Sequence, residues 1–305
     1  MKIAIFGSGG VGGYFGGRLA AAGEDVTFLA RGAHLTAMQK DGLHIVSPQG
    51  DVHLPKVQAT DRPQAIGPVD VVLFTVKLYD VDASASTLAP LIGPDTVVIT
   101  LQNGVDAVDM VARHVGVDHV AGGAAYIVVV VDQPGHLRHT AGQSLVFGER
   151  DGRRSDRLVA FEEAGQRAGF GAKASSQVET ELWIKFVRLS AWAGMTAVTR
   201  SPMGVLRDNP ALFEMMMTAT KEAIAVGTAR GINLPSDIVE STLAMIPNFP
   251  DTSKSSMLED LERGRRLELP WLSGAVVRIG KEVGVPTPVH QFITTVLTPF
   301  VNGTK

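Results

Sequence analysis

In the first half of the chain, apolar residues fall in short blocks separated by stretches with helical spacing. Lys2–Phe6, Asp25–Ala30, Val69–Val76 and Val97–Leu101 are brief and largely apolar, the pattern of strands buried on both faces. Val11–Ala22, Ala33–Asp41, Asp82–Ala89 and Ala107–Val115 carry helical patterns. Strand–helix alternation predicts βαβ units and a parallel sheet. Three later runs, Ala125–Val131, Gly135–His139 and Gln143–Phe147, follow one another without helices, which predicts strands added in antiparallel fashion.

After about Lys173 strand patterns stop. Helices are predicted over Glu179–Val198, Asn209–Arg230, Asp237–Ile246, Ser255–Arg263, Pro270–Val283 and Pro288–Val301. The second has clear punctuation: Asn209 suits an N-cap, Pro210 the first turn, and Gly231 the end. The boundary falls near residues 171–177. The expected fold class is α/β: a Rossmann-type, doubly wound, mainly parallel sheet over residues 1–173, then an all-helical domain over residues 174–305. A length of 305 residues suits two such domains.

Composition narrows the picture mainly by exclusion. A net charge of −3 and no basic stripe give nucleic-acid binding no electrostatic support. The absence of cysteine excludes thiolate chemistry and fits a reducing cytoplasm. The longest apolar run, Val120–Val131, has 12 residues, short of the about 20 that a membrane span needs. Ile3–Phe6 is too short for a signal sequence. A cytoplasmic protein without membrane contact is therefore expected. No two histidines stand four apart, and His136 and His139 have no carboxylate cluster nearby, so no metal site is expected. The apolar helical half is compatible with a homodimer.

The chemistry begins at Gly7-Ser8-Gly9-Gly10-Val11-Gly12, which fits G-x-G-x-x-G between a predicted strand and a predicted helix. Gly7 permits the tight turn, Gly9 lets the backbone approach a pyrophosphate, and Gly12 lets helix and strand pack closely. The helix N-terminus then offers N–H groups and a positive dipole end to phosphate. The second strand ends at Phe28-Leu29-Ala30-Arg31, with no acid where an NAD ribose is usually held. A guanidinium at Arg31 suits a 2′-phosphate, and Lys77 adds a second charge, so NADPH is the expected cofactor. Residues 1–173 are thus read as an NADP-binding domain.

Five segments together resemble the ketopantoate reductase (2-dehydropantoate 2-reductase) family. They are Gly7–Gly12 with Arg31; Lys77 after Phe74-Thr75-Val76; Leu101-Gln102-Asn103-Gly104; Trp183-Ile184-Lys185; and Ser255-Ser256-Met257-Leu258-Glu259-Asp260 with Arg266-Leu267-Glu268. The resemblance implies reduction of the ketone of 2-dehydropantoate to (R)-pantoate with NADPH, in pantothenate synthesis. It places Lys185 on the catalytic lysine and Asn103 on the asparagine beside substrate and nicotinamide. Ser256 and Glu268 fall on active-site positions of a helical substrate domain, residues 174–305. Glu222 also aligns, as a weaker candidate.

The chemistry is coherent without the family name. Hydride transfer to a ketone builds negative charge on oxygen, which a positioned ammonium can stabilise and protonate. Lys185 lies between Trp183-Ile184 and Phe186-Val187, so its ammonium needs a partner, and Glu268 is the candidate. Ser256 and Glu268 would stand about 18 Å apart on one straight helix. A fold-back near Gly264 and Pro270 is therefore expected. Simpler readings stand beside these: Ser256 as a helix cap, Asn103-Gly104 as a turn, and Lys185 as a snorkelling lysine.

The chain also departs from the family pattern. Leu189 and Ala193 occupy positions four and eight after the lysine where asparagines usually line the substrate pocket, and Ser253 replaces another asparagine. Leu189, Ala193 and Trp192 would make the substrate surface more apolar; Arg188 or Arg200 would remain to hold a carboxylate. Two other readings stay open: a reductase of a bulkier or more apolar 2-oxo acid, and a non-catalytic NADP(H) sensor.

Overall fold

The computed structural model describes residues 1–304 and divides the chain into two compact units. Residues 1–102 and 106–178 form the first; residues 103–105 and 179–304 form the second. Each has its own apolar core.

The first unit is built on a ten-stranded sheet. Its strands are β1 (Lys2–Phe6), β2 (Asp25–Leu29), β3 (Leu43–Val46), β4 (Val52–Leu54), β5 (Gln58–Thr60), β6 (Val71–Phe74), β7 (Val97–Thr100), β8 (Val120–Gln133), β9 (His136–Glu149) and β10 (Gly171–Ala174). The order is β4-β3-β9-β8-β7-β6-β1-β2-β5, with β10 beside β9. From β8 through β5 the neighbours are parallel, so this part of the sheet matches the doubly wound expectation. Helices α1 (Gly10–Ala21), α2 (Gly32–Asp41), α3 (Val81–Ala85), α4 (Ala107–Val115) and α5 (Asp156–Arg167) complete the unit. β6 and β7 are buried at every residue, which is why they read as continuous apolar runs.

The three expected late strands are in fact one hairpin of two long strands. β8 and β9 have 14 residues each, pair antiparallel and turn at Pro134-Gly135. The polar break at Thr140-Ala141-Gly142 is a register irregularity within β9, with Gly142 at φ +68°. Short, half-exposed strands such as β4 and β5 lack a buried face and gave no alternating signal. Helix α5, not among the predicted elements, buries Leu158, Phe161, Ala164 and Gly165 at helical spacing.

The second unit contains α6 (Val178–Thr199), α7 (Met203–Asp208), α8 (Pro210–Ala229), α9 (Ile238–Met245), α10 (Ser256–Glu262), α11 (Ser273–Val283) and α12 (Pro288–Leu297). Asn209 caps α8 by accepting from the N–H groups of Ala211 and Leu212, and Gly231 follows it at φ +89°. The single predicted helix over Pro270–Val283 is a 3₁₀ turn, Leu269–Trp271, followed by α11. No helix among the described residues is long and apolar enough to cross a membrane.

His290 of α12 is wholly buried, and its Nε2–H donates to the carbonyl of Ala219 at 3.0 Å. Burial pushes its pKa down to about 4, the Ala219 contact opposing only part of the shift. Folding therefore excludes a proton that the unfolded imidazole binds near pH 6.5. Stability from this group is complete above about pH 6.5 and is lost as pH falls towards 4, by about 1.4 kcal/mol per pH unit. The thermal midpoint should drop between pH 7 and 4.5, and His290→Gln should flatten that slope in calorimetry; an unchanged slope would remove His290 as the cause.

Candidate active site

Strands β1, β2 and β6 end at the same edge of the sheet, and the glycine-rich turn follows β1 there. Gly7 has φ +102°, a conformation that disfavours a side chain. Thr75, just beyond β6, donates its hydroxyl to the Gly7 carbonyl at 2.6 Å and fixes the turn. A Cβ on Gly12 would strike that hydroxyl and come within 2.6 Å of the Gly7 carbonyl, so α1 packs this close only with glycine. Nothing lies within 4 Å of a Cβ built on Gly9, whose face is open. Helix α1 has no side-chain cap and no acid in its first turn, leaving its N-terminus to an anion.

The cleft beside this turn has a volume of about 600 Å³, in the range of small-molecule sites. Gly7, Ser8, Gly9, Arg31, Lys77 and Arg62 are among its lining residues. An uncapped helix N-terminus, an open glycine and nearby cations fit a dinucleotide. The Ser8 hydroxyl points inward and donates to the Leu29 carbonyl at 3.0 Å, so Ser8 offers only its backbone to a ligand. Gly10 packs against Val129 of β8, and Val11 is half-buried. Arg62 was missed in the sequence because no recognised motif surrounds it.

The second group of residues lies on the helical unit. Gly104, at φ +88°, packs so that an added Cβ would lie 2.7 Å from the Trp271 carbonyl. Asn103-Gly104 is thus a turn, seated on the 3₁₀ turn that follows Glu268. It places the Asn103 amide 3.4 Å from the Glu268 carboxylate as donor. Glu268 is 5 % exposed. Lys185, on α6, is half-buried as a residue, but desolvation of its ammonium lowers its pKa to about 8, against the raising effect of Glu268. Lys185, Glu268 and Asn103 therefore belong to one electrostatic group.

The fold-back expected near Gly264 exists. Gly264 has φ +63°, and Arg265 N–H donates to the Asp260 carbonyl at 2.7 Å. Ser256, however, is exposed and makes no side-chain hydrogen bond among the described residues. The cap of α10 is Ser255, which accepts from Leu258 N–H and shares a 2.7 Å hydrogen bond with Thr196 of α6. Glu222 is also explained structurally: its two oxygens accept from the N–H groups of Val289 and His290 and close the N-terminus of α12. Arg188 is committed to Ser241 and Thr242, and Arg200 lies over the ring of Phe300.

On α6, Trp192 stands seven residues after Lys185 and within about 20° of the same face. Leu189 lies between them. The ring of Trp192 packs on Phe249 at 5.0 Å, and its buried indole N–H has no partner among the described residues.

A Rossmann-type dinucleotide cleft and a lysine with a depressed pKa beside a buried carboxylate define a dinucleotide-dependent oxidoreductase. Residues 3–152 match the model of ketopantoate reductase PanE/ApbA, and residues 177–300 match that of its C-terminal domain. A 2-dehydropantoate 2-reductase from Mesorhizobium japonicum is 33 % identical, the match covering 94 % of each chain. One from Archaeoglobus fulgidus is 31 % identical over 99 % of each. The crystal structure of a PanE/ApbA family ketopantoate reductase from Ralstonia eutropha superposes with a TM-score of 0.91 at 31 % identity, covering 99 % of this chain and 98 % of that one. The chain belongs to the ketopantoate reductase family.

Two variants separate chemistry from support. Glu268→Gln removes the anion that raises the Lys185 pKa, so the alkaline fall in reductase rate should begin at a lower pH than in the parent, whose fall is expected near pH 8. An unmoved pH profile would dissociate the two residues. Glu222→Ala leaves two helix N–H groups unpaired, at a cost of about 1–3 kcal/mol. It should lower the thermal midpoint with kcat intact; a loss of kcat in fully folded protein would return Glu222 to the active site.

Proposed function

We propose that the protein reduces 2-dehydropantoate to (R)-pantoate with NADPH. The observation that carries this reading is Lys185, an ammonium held near pKa 8 beside Glu268 and Asn103. Family membership and the names of its relatives support the substrate. Arg31 at the end of β2, with Lys77 in the same cleft and no acid at the β2 position, supports the 2′-phosphate. Residues 1–102 and 106–178 are the cofactor-binding part and the helical unit supplies the catalytic and substrate groups.

NADPH, held in the cleft of Gly7, Arg31 and Lys77, would supply a hydride to the ketone carbon. The Lys185 ammonium would hydrogen-bond the ketone oxygen, stabilise the charge that forms on it and transfer a proton to it, giving the secondary alcohol. Solvent then reprotonates the amine. At pKa about 8 the amine is mostly charged at neutral pH yet releases its proton readily. Glu268 holds the ammonium charged in a desolvated setting and Asn103 orients Glu268. Ser256, exposed at the start of α10, is the proposed substrate hydroxyl contact.

A second reading, favoured by Leu189 and Trp192 on the Lys185 face of α6, is a 2-oxo acid with a larger apolar substituent. Steady-state rates of NADPH and NADH oxidation with 2-dehydropantoate and a panel of branched and aryl 2-oxo acids decide between the two. The highest kcat/KM is expected for 2-dehydropantoate with NADPH; a higher value for an aryl 2-oxo acid would overturn the substrate. Lys185→Ala should lower kcat by about 10²–10⁴-fold. Full activity in that variant would defeat the role given to Lys185; no turnover of any 2-oxo acid by the parent would defeat the catalytic reading and leave a cofactor-binding sensor.

A further inference from the structure

The sheet's carboxyl edge carries a second arginine in register with the first. β2 and β5 are parallel neighbours, with Leu29 opposite Thr60, and Ala30 N–H donates to the Thr60 carbonyl at 3.1 Å. Each strand is followed, two residues later, by an arginine: Arg31 after Leu29, Arg62 after Thr60. Parallel strands run about 4.8 Å apart. The two arginines therefore leave the sheet side by side, and both line the cleft that begins at Gly7.

Their chemistry sets them apart from other arginines of this unit. Arg157 binds Glu149, Arg154 binds Glu162, and Arg167 binds Glu24. The side chains of Arg31 and Arg62 are exposed and form no ion pair or hydrogen bond among the described residues. The backbone of Arg62 is nevertheless fixed: its N–H donates to the Thr60 hydroxyl at 3.1 Å, and Pro63 follows at the start of a 3₁₀ turn. Asp61 and Asp80 line the cleft as well, so with Lys77 three cations stand against two carboxylates.

We propose that Arg62 is a second specificity-determining residue for the cofactor's 2′-phosphate, which Arg31 and Arg62 hold from two sides. This rests on the NADPH reading above. With a pyrophosphate on the glycine turn, the group that reaches the end of β2 is the adenosine ribose. Two unpaired guanidiniums there recognise a dianion and have nothing to bind in a ribose hydroxyl.

Dissociation constants for NADPH, NADH and adenosine 2′,5′-bisphosphate, measured calorimetrically on the full chain, provide the test. Arg62→Ala should weaken NADPH and the bisphosphate by about ten- to a hundredfold. NADH binding should stay unchanged. Arg62→Lys should recover part of the loss, and the salt dependence of NADPH binding should be shallower in Arg62→Ala. Equal weakening of NADPH and NADH would assign Arg62 to adenine or to the fold and overturn the proposal. So would unchanged NADPH binding in a parent that prefers NADPH, which leaves the cofactor reading standing. A parent that binds NADH as tightly as NADPH would defeat both. Matching thermal midpoints for parent and variants confirm that binding, not folding, is read.

Discussion

A lysine ammonium held out of water is the constraint around which the helical unit is arranged. Lys185 sits in a helix whose neighbouring positions, Trp183, Phe186 and Val187, are buried. Desolvation lowers its pKa to about 8, and the Glu268 carboxylate opposes that shift. Glu268 must then itself be buried and satisfied, which brings the Asn103 amide into reach and requires the Asn103-Gly104 turn to sit against the Leu269–Trp271 turn. One buried charge thus accounts for a carboxylate, an amide and a close backbone approach drawn from three distant stretches of sequence.

The dinucleotide cleft follows a different logic, in which backbone rather than charge is decisive. Three strand ends, a left-handed glycine and a close helix–strand approach leave an uncapped helix terminus facing open space. Thr75 locks the turn from the neighbouring strand, so the backbone of the glycine turn is fixed by the sheet itself. Cations arrive afterwards, from the loops that leave that edge. Both functional groups of residues stand on regular elements or on turns pinned to them, the arrangement that holds reacting atoms with least slack.

Several residues change meaning once their neighbours are known. Glu222 is an alignable acid in a long helix, yet its oxygens are both used by the first N–H groups of α12. The adjacent serines of α10 divide in a way no spacing reveals: Ser255 caps the helix and Ser256 is left exposed. Arg188 lies one turn from Lys185 in sequence but is spent on α9. For Glu222 and Arg188 the deciding partner lies 50 or more residues away, beyond the reach of any local pattern.

Local physics was legible in the chain. The βαβ alternation, the Asn209 cap, the glycine fingerprint and the isolated lysine among apolar residues follow from backbone preferences and periodic burial, which act over a few residues. The long β8–β9 hairpin was fragmented because a bulge and a turn share the same residue types. Tertiary structure alone decided that Lys185 meets Glu268, that Glu222 is a cap, and that Arg62 stands beside Arg31. Those facts depend on strand register and on chain reversals, where small differences in many weak contacts select which distant residues become neighbours.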